Sequence, residues 1–65
     1  MMSKFFLTFG QSSPARNGWV LVMAPDMAAA EKMVRSEYGD GWANLYTPED
    51  FEPDHYPVGQ LAIIS

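Results

Sequence analysis

A long polar loop holds the first group of side chains that could bind a ligand. Residues 10–18 read Gly-Gln-Ser-Ser-Pro-Ala-Arg-Asn-Gly, far more than the two residues that a tight hairpin needs. Arg16 offers a planar cation suited to phosphate or carboxylate, and Gln11 and Asn17 offer amide donors and acceptors. These residue types predict a site for an anionic ligand, while a solvated turn with an exposed arginine is the competing interpretation.

Aromatic side chains form the second candidate group. Trp19 follows the loop directly. In a later extended run, Trp42, Asn44 and Tyr46 alternate, which would place the three on one face of a strand. Such rings can stack on a nucleobase, with Asn44 beside them. Packing in a core or interface is the alternative, since aromatic residues are enriched in both places.

A run of acids is the third candidate, formed by Glu49, Asp50, Glu52 and Asp54. It lacks the glycine turn and the ligand spacing of a calcium loop, so we expect no metal. Asp54 and His55 would point to opposite sides of an extended segment and therefore form no acid–base pair. The run is expected to be a solvated edge or a patch for a basic protein.

The sequence contains no nucleophile motif, phosphate loop or paired-acid arrangement. By the usual criteria for an active site, the residues therefore predict neither catalysis nor a cofactor.

Length and composition predict one small domain that associates with copies of itself. The 65 residues predict a single domain over 1–65, in which folding buries only about 60% of the unfolded surface. There is no cysteine to form a disulfide or a thiolate metal site. The apolar content of 48% includes nine aromatic residues. A second copy could supply the missing burial, so we expect a homo-oligomer.

The charge narrows the classes of partner. A net charge of -4 has the wrong sign for gripping a nucleic-acid polymer, and it would steer a basic protein towards the chain. No apolar run is long enough for a signal peptide or a bilayer span. The run at 61–64, for instance, is far too short to cross a bilayer. We therefore expect a cytoplasmic protein without membrane contact.

Apolar patterns predict the elements that must position these groups. Strands are expected over residues 4–9, 18–24, 42–46 and 60–64. A helix should begin after the N-cap Asp26 and end at Gly39 as the C′ residue. Thr47 starts a second, short helix that Pro53 limits to about one turn.

Spacing within the main helix adds two expectations. Met27, Ala30, Val34 and Tyr38 form its apolar stripe, and Glu31 and Arg35 stand four apart in the favourable order on its outer side. The fold class is therefore α+β: a small, mainly antiparallel sheet in the order β-β-α-β-short helix-β, with one main helix packed on one face. Which strand faces are buried stays open, because a one-residue slip exchanges them.

A longer pattern also emerges: Phe9-Gly10-Gln11, Arg16, the extended 19–24 run, an alanine- and glutamate-bearing helix, Gly41-Trp42 through Tyr46, and Phe51. Over nearly the whole chain, this pattern resembles a family of very small bacteriophage-encoded proteins. The resemblance implies a phage accessory protein acting in the host bacterial cytoplasm. Such proteins often antagonise host defence, by sequestering a nucleotide-derived signal or by occupying a host protein.

These observations support two hypotheses about function. In the first, a nucleotide-like small molecule binds between the 10–18 loop and the Trp42/Asn44/Tyr46 face, with Arg16 on phosphate, Gln11 and Asn17 fixing orientation, and Trp19, Trp42 or Tyr46 stacking. In the second, the acidic residues 49–54 bind a host protein. A structural or regulatory role without a ligand is a third possibility.

Overall fold

The chain folds into one four-stranded sheet with one main helix on one face. A computed structural model describes residues 2–10 and 12–65. The elements are β1 (Ser3–Thr8), β2 (Gly18–Ala24), α1 (Met27–Tyr38), β3 (Asn44–Tyr46), a 3-10 helix (Pro53–His55) and β4 (Gly59–Ile64). The strand order is β3-β1-β2-β4. The predicted α+β fold with a mainly antiparallel sheet is confirmed, and the β2–β4 pair is the parallel exception.

The core lies between the sheet and α1. Leu7 of β1 stands opposite Val20 of β2, and Phe5 stands opposite Val22. These side chains pack with the buried residues of α1, Ala30 and Val34. The other side of β2 carries the half-buried Trp19, Leu21 and Met23. This arrangement explains why β2 is apolar along its whole length: both of its faces are at least partly covered.

Both ends of α1 have the predicted caps. The Asp26 carboxylate accepts a hydrogen bond from the Ala29 amide at 2.8 Å. Gly39 has a φ of 61°, and its amide donates to the Arg35 carbonyl. Glu31 and Arg35 form the expected ion pair at 2.9 Å. No helix in the described part of the chain is long and apolar enough to cross a bilayer.

Two strands differ from the sequence prediction. β1 ends at Thr8, one residue early, and Phe9 packs edge-on against Tyr38 instead. The predicted strand over residues 42–46 is wrong in its first half, because regular pairing begins only at Asn44. The Ala43 amide already donates to the Thr8 carbonyl, so the chain reaches β1 just before β3 starts.

The short helix is also displaced from its predicted place. After Thr47 the chain makes a turn, closed by hydrogen bonds from the amides of Asp50 and Phe51 to the Thr47 carbonyl. The helical element forms later, as the 3-10 helix that has Pro53 at its start. Proline has a φ that suits the first position of a helix, and it cannot sit inside a helix that begins earlier. The short helix therefore begins at Pro53 and does not begin after Thr47.

β4 completes the sheet at one edge with an irregular register. Trp19 is paired with Gln60, but Val20 is paired with Ala62, so Leu61 is an extra residue in the ladder. The Leu61 side chain lies over Gly18, where a Cβ atom would come within 2.6 Å of it. Gly18 is thus needed because β4 approaches the β2 backbone closely here.

Candidate functional site

Five aromatic rings cover the face of the sheet opposite α1. We call Phe6, Trp19, Tyr46, Phe51 and Tyr56 the aromatic cluster. Phe51 lies at its centre: its ring is parallel to that of Phe6 with centroids 4.4 Å apart, and it stacks on Tyr56 at 5.3 Å on a 17° tilt. Trp19 meets Phe51 edge-on at 5.6 Å. The segment after β3 is therefore fixed to the sheet through one ring.

Burial of Phe51 gives that attachment its strength. The side chain is only 9% exposed, and a buried aromatic ring removes about 150 to 250 Å² from water, with a further ~0.5 to 1.5 kcal/mol for each well-placed aromatic pair. The turn at Thr47 adds local order, because the Thr47 hydroxyl donates to the Asp50 carboxylate at 3.2 Å. A segment with little regular secondary structure thus has a defined position.

The residues around Phe51 carry the net charge of the protein. We call residues 49–54 the acidic segment, and its four carboxylates, Glu49, Asp50, Glu52 and Asp54, are all exposed. The chain has eight acids and four cations, so four acids and four cations remain elsewhere and cancel. The whole formal charge of -4 is therefore located in this segment.

The carboxylates of the acidic segment are spread over a surface. Within residues 2–10 and 12–65, no three acidic, histidine or cysteine side chains converge in a way that could hold a metal ion. His55 lies 3.1 Å from the Glu52 carboxylate, and both side chains are 70% exposed. The arrangement suits a charged docking surface better than a coordination site.

The 10–18 loop is folded by three successive turns. Amides of Ser13, Arg16 and Gly18 donate to the carbonyls of Gly10, Ser13 and Ala15 respectively, at 2.9 to 3.2 Å. The guanidinium of Arg16 is exposed and reaches back to the Ser13 carbonyl at 3.4 Å. The Asn17 carbonyl accepts from the Val58 amide at 2.9 Å, which ties the loop to the turn before β4.

The structure brings some predicted ligand residues together and separates others. Trp19 and Asn44 both pair with Thr8, from opposite sides, so they share one face of the sheet. Tyr46 pairs with Phe6 in the next row of that face. Arg16 and Asn17 lie in the loop that leads into Trp19, and their side chains are exposed. Gln11 lies outside the described residues.

Trp42 belongs to the other side of the molecule. Its side chain packs against the core beneath α1, and its indole nitrogen donates to the Gly39 carbonyl at 2.9 Å. The prediction that Trp42 shares a strand face with Asn44 and Tyr46 is therefore wrong, because Trp42 precedes the strand. It is part of the helix-side packing and lies apart from the aromatic cluster.

Sequence reasoning about the site missed the central ring. In the sequence, Phe51 is only part of the family pattern, and no local pattern marks Phe6 or Tyr56 as site residues. One signal was available: Phe51 is a single aromatic residue among acids, and such a residue is a good candidate for an anchor. Its partner Phe6 lies 45 positions earlier, so the contact itself has no local signature.

A depression of about 170 Å³ lies elsewhere, between α1 and the end of β4. Its lining consists of Met33, Ser36, Glu37, Ile64 and Ser65. None of the predicted ligand residues contributes to it. The centre of the aromatic cluster, by contrast, is occupied by Phe51, whose ring stacks with both Phe6 and Tyr56.

Compared with known proteins, the chain matches no family model, no curated protein and no solved structure.

Proposed function

We propose that this chain is a bacteriophage accessory protein that works by binding, in the host cytoplasm, and that its acidic segment docks on a basic surface of a host protein. The observation that carries the proposal is the location of the charge. All of the formal -4 lies in residues 49–54, and the buried Phe51 holds that segment in place.

Electrostatics and preorganisation both favour this mode of binding. Four exposed carboxylates within six residues attract a basic surface from a distance comparable to the Debye length, about 8 Å at physiological ionic strength. Anchoring through Phe51 reduces the conformational entropy that the segment would otherwise lose on binding. The proposed function needs no reaction, only occupation of the partner.

Two charge-matched triple variants test the proposal. The first neutralises the acidic segment with Glu49→Gln, Glu52→Gln and Asp54→Asn. The second neutralises three acids elsewhere with Glu31→Gln, Glu37→Gln and Asp40→Asn. Asp26 and Asp50 are left intact because their carboxylates accept hydrogen bonds that cap α1 and close the turn at Thr47. Each triple variant raises the net charge by the same amount.

We expect immobilised protein to retain a stoichiometric partner from bacterial lysate, less so as salt rises. The first triple variant should lose that partner, and the second should keep it. Equal loss of the partner in both variants would show that binding depends on the net charge of the protein and not on the acidic segment. A partner retained equally by both would show that the acidic segment does not bind it.

A nucleotide-like small molecule is the second candidate. It is favoured by the continuity of Arg16, Asn17 and Trp19, which combines a cation, an amide and a partly exposed ring at one end of the sheet. The charge near this site makes the small molecule the weaker of the two candidates. Arg16 is a single cation, whereas the acidic segment, anchored on the same cluster, carries four carboxylates. An anionic ligand would be repelled there.

A thermal-shift series with cyclic nucleotides, ADP-ribose derivatives and mononucleotides tests this second candidate. A ligand at about 100 times its Kd should add ~2.7 kcal/mol to the unfolding free energy, and each kcal/mol raises the Tm by about 4 to 8 °C. Arg16→Gln should abolish the shift, whereas Lys32→Gln, which removes a cation from α1, should preserve it. Unchanged Tm values with every ligand would reject this candidate.

Self-association is the final part of the proposal: the chain works as a homo-oligomer. The support is an apolar surface near β4, where Val58, Leu61 and Ile63 are 65%, 43% and 58% exposed. A domain with so small a core gains stability when a second copy covers such side chains.

A further inference from the structure

β4 is an edge strand with little of the usual protection. Among the residues that the structure describes, it pairs with β2 alone, so one whole side of its backbone has no strand partner there. Its six residues, Gly-Gln-Leu-Ala-Ile-Ile, include neither a charge nor a proline, two of the common devices against edge-to-edge pairing, and the extra residue Leu61 is the irregularity in its ladder. The opposite edge strand, β3, has only three residues and is followed closely by Pro48. The β3 edge is thus poorly suited to pairing with another strand, whereas the β4 edge is open to it.

Charge singles out the same edge. Residues 57–65 contain no charged side chain, whereas the molecule as a whole has a net charge of -4. Two copies that approach through the acidic segment would repel each other. The β4 edge offers contact without that repulsion, and Leu61 and Ile63 expose apolar surface beside it.

We propose that β4 pairs antiparallel with β4 of a second copy about a two-fold axis, so that the two sheets become one. This inference rests on the homo-oligomer proposed above and names its interface. It is independent of the identity of any partner or ligand.

The geometry selects this arrangement. A two-fold axis perpendicular to the sheet makes the strand its own complement, because each free amide of one copy faces a carbonyl of the other copy, and the reverse holds for each free carbonyl. The strand order becomes β3-β1-β2-β4 followed by β4-β2-β1-β3 of the copy. Both α1 helices then lie on the same face, and the acidic segments lie on the opposite face with the two aromatic clusters.

A second copy fits this edge better than an unrelated partner does. β4 has no charged group that could distinguish a basic protein from an acidic one. In our proposal, electrostatic recognition of a host protein is the role of residues 49–54. What the strand presents is a ladder of backbone groups with apolar side chains on either side, and the same strand in another copy presents the matching set.

Sedimentation equilibrium of the intact chain provides the first test. We expect twice the 7.3 kDa mass of one chain. Ile63→Lys places a charge on the joined edge of each copy and should weaken the dimer about tenfold or more. Ala43→Lys adds the same charge to an exposed residue just before β3, at the opposite edge of the sheet, and should leave the dimer intact. Circular dichroism checks that both variants keep the fold.

Single-cysteine variants provide the second test and do not depend on the stability of Ile63→Lys. Since the chain has no cysteine, any interchain disulfide must form at the introduced position. Cysteines placed one at a time over residues 60–64 should cross-link best near the middle of β4 and fall off in both directions. Lys32→Cys on α1 and Asn44→Cys on β3 should not cross-link.

The outcomes separate the inference from the proposal on which it rests. A single-chain mass at every concentration would overturn both the homo-oligomer and this interface. A dimer that survives Ile63→Lys and cross-links through Asn44→Cys or Lys32→Cys would overturn the β4 interface and keep the oligomer. Loss of the dimer in Ile63→Lys, with cross-links centred on β4, would establish the interface whatever the lysate experiment finds.

Discussion

Phe51 determines where the acidic segment lies, because its ring contacts four others while the residues on either side of it are exposed. The acids provide charge, but a flexible chain would present that charge in many arrangements. The ring converts a polar segment into a positioned surface. The function proposed for the carboxylates therefore depends on an apolar side chain.

Phe51→Leu tests this dependence. Leucine keeps most of the apolar volume but cannot stack with Phe6 and Tyr56, so we expect the unfolding free energy to fall by about 1 to 3 kcal/mol. Thermal denaturation should show a Tm lower by about 4 to 8 °C for each kcal/mol. Val58→Ala, at a side chain that is 65% exposed, should change stability by less than about 0.5 kcal/mol. An unchanged Tm in Phe51→Leu would mean that the stack does not hold the segment.

Among the elements, α1 depends most clearly on its ends. The Asp26 carboxylate satisfies one of the free amides in the first turn, and Gly39 adopts a φ that few other residues tolerate. Between them the helix has just 12 residues, and isolated helices of that length are marginal in water. Caps and packing on the sheet together stabilise it.

Asp26→Ala and Asp40→Ala form a matched pair for this point, because each removes one carboxylate. Loss of the N-cap should lower the unfolding free energy by ~1 kcal/mol, within a range of about 0.5 to 2. Asp40, whose side chain is 98% exposed and 3.9 Å from Arg35, should contribute far less. Urea unfolding would measure both, and equal losses would argue against the cap.

The elements also show how far sequence reasoning reaches. α1 and β2 were predictable because their signals are local: a capping aspartate, a C′ glycine and a continuous apolar run. The beginning of β3 was not predictable in this way. Trp42 alternates with Asn44 in the sequence as in a strand, but its indole nitrogen donates to the Gly39 carbonyl on the other side of the sheet. Strand order and the parallel pairing of β4 depend on contacts between distant residues, for which the local pattern carries no information.

The same limit applies to the candidate site. The sequence indicated an acidic run and a set of aromatic residues, and it correctly placed Asn44 and Tyr46 on one strand face. It could not show that Phe51 links the two features, since Phe6, Trp19 and Phe51 come from three separate parts of the chain. Burial of the connecting ring is a property of the tertiary structure.

At the scale of the whole molecule, the single chain is already compact. Its radius of gyration is 10.8 Å, close to the ~10.7 Å expected for a folded chain of this length. The self-association that we propose therefore needs a particular surface, and we assign it to the uncharged β4 edge. Stability is modest at this size, on the order of 3 to 10 kcal/mol in total, so each interface or cap is a large share of it.

The placement of the two tryptophans on opposite sides of the sheet makes the protein its own fluorescent reporter. Trp19 senses the aromatic cluster, and Trp42 senses the packing beneath α1. In Trp42→Phe and Trp19→Phe, emission from the remaining indole should follow far-ultraviolet circular dichroism through one common unfolding midpoint, because both layers share β1 and β2. If Trp19 emission changes before the dichroism does, residues 47–58 detach as a separate unit, and the surface proposed to bind a partner is less stable than the fold that carries it.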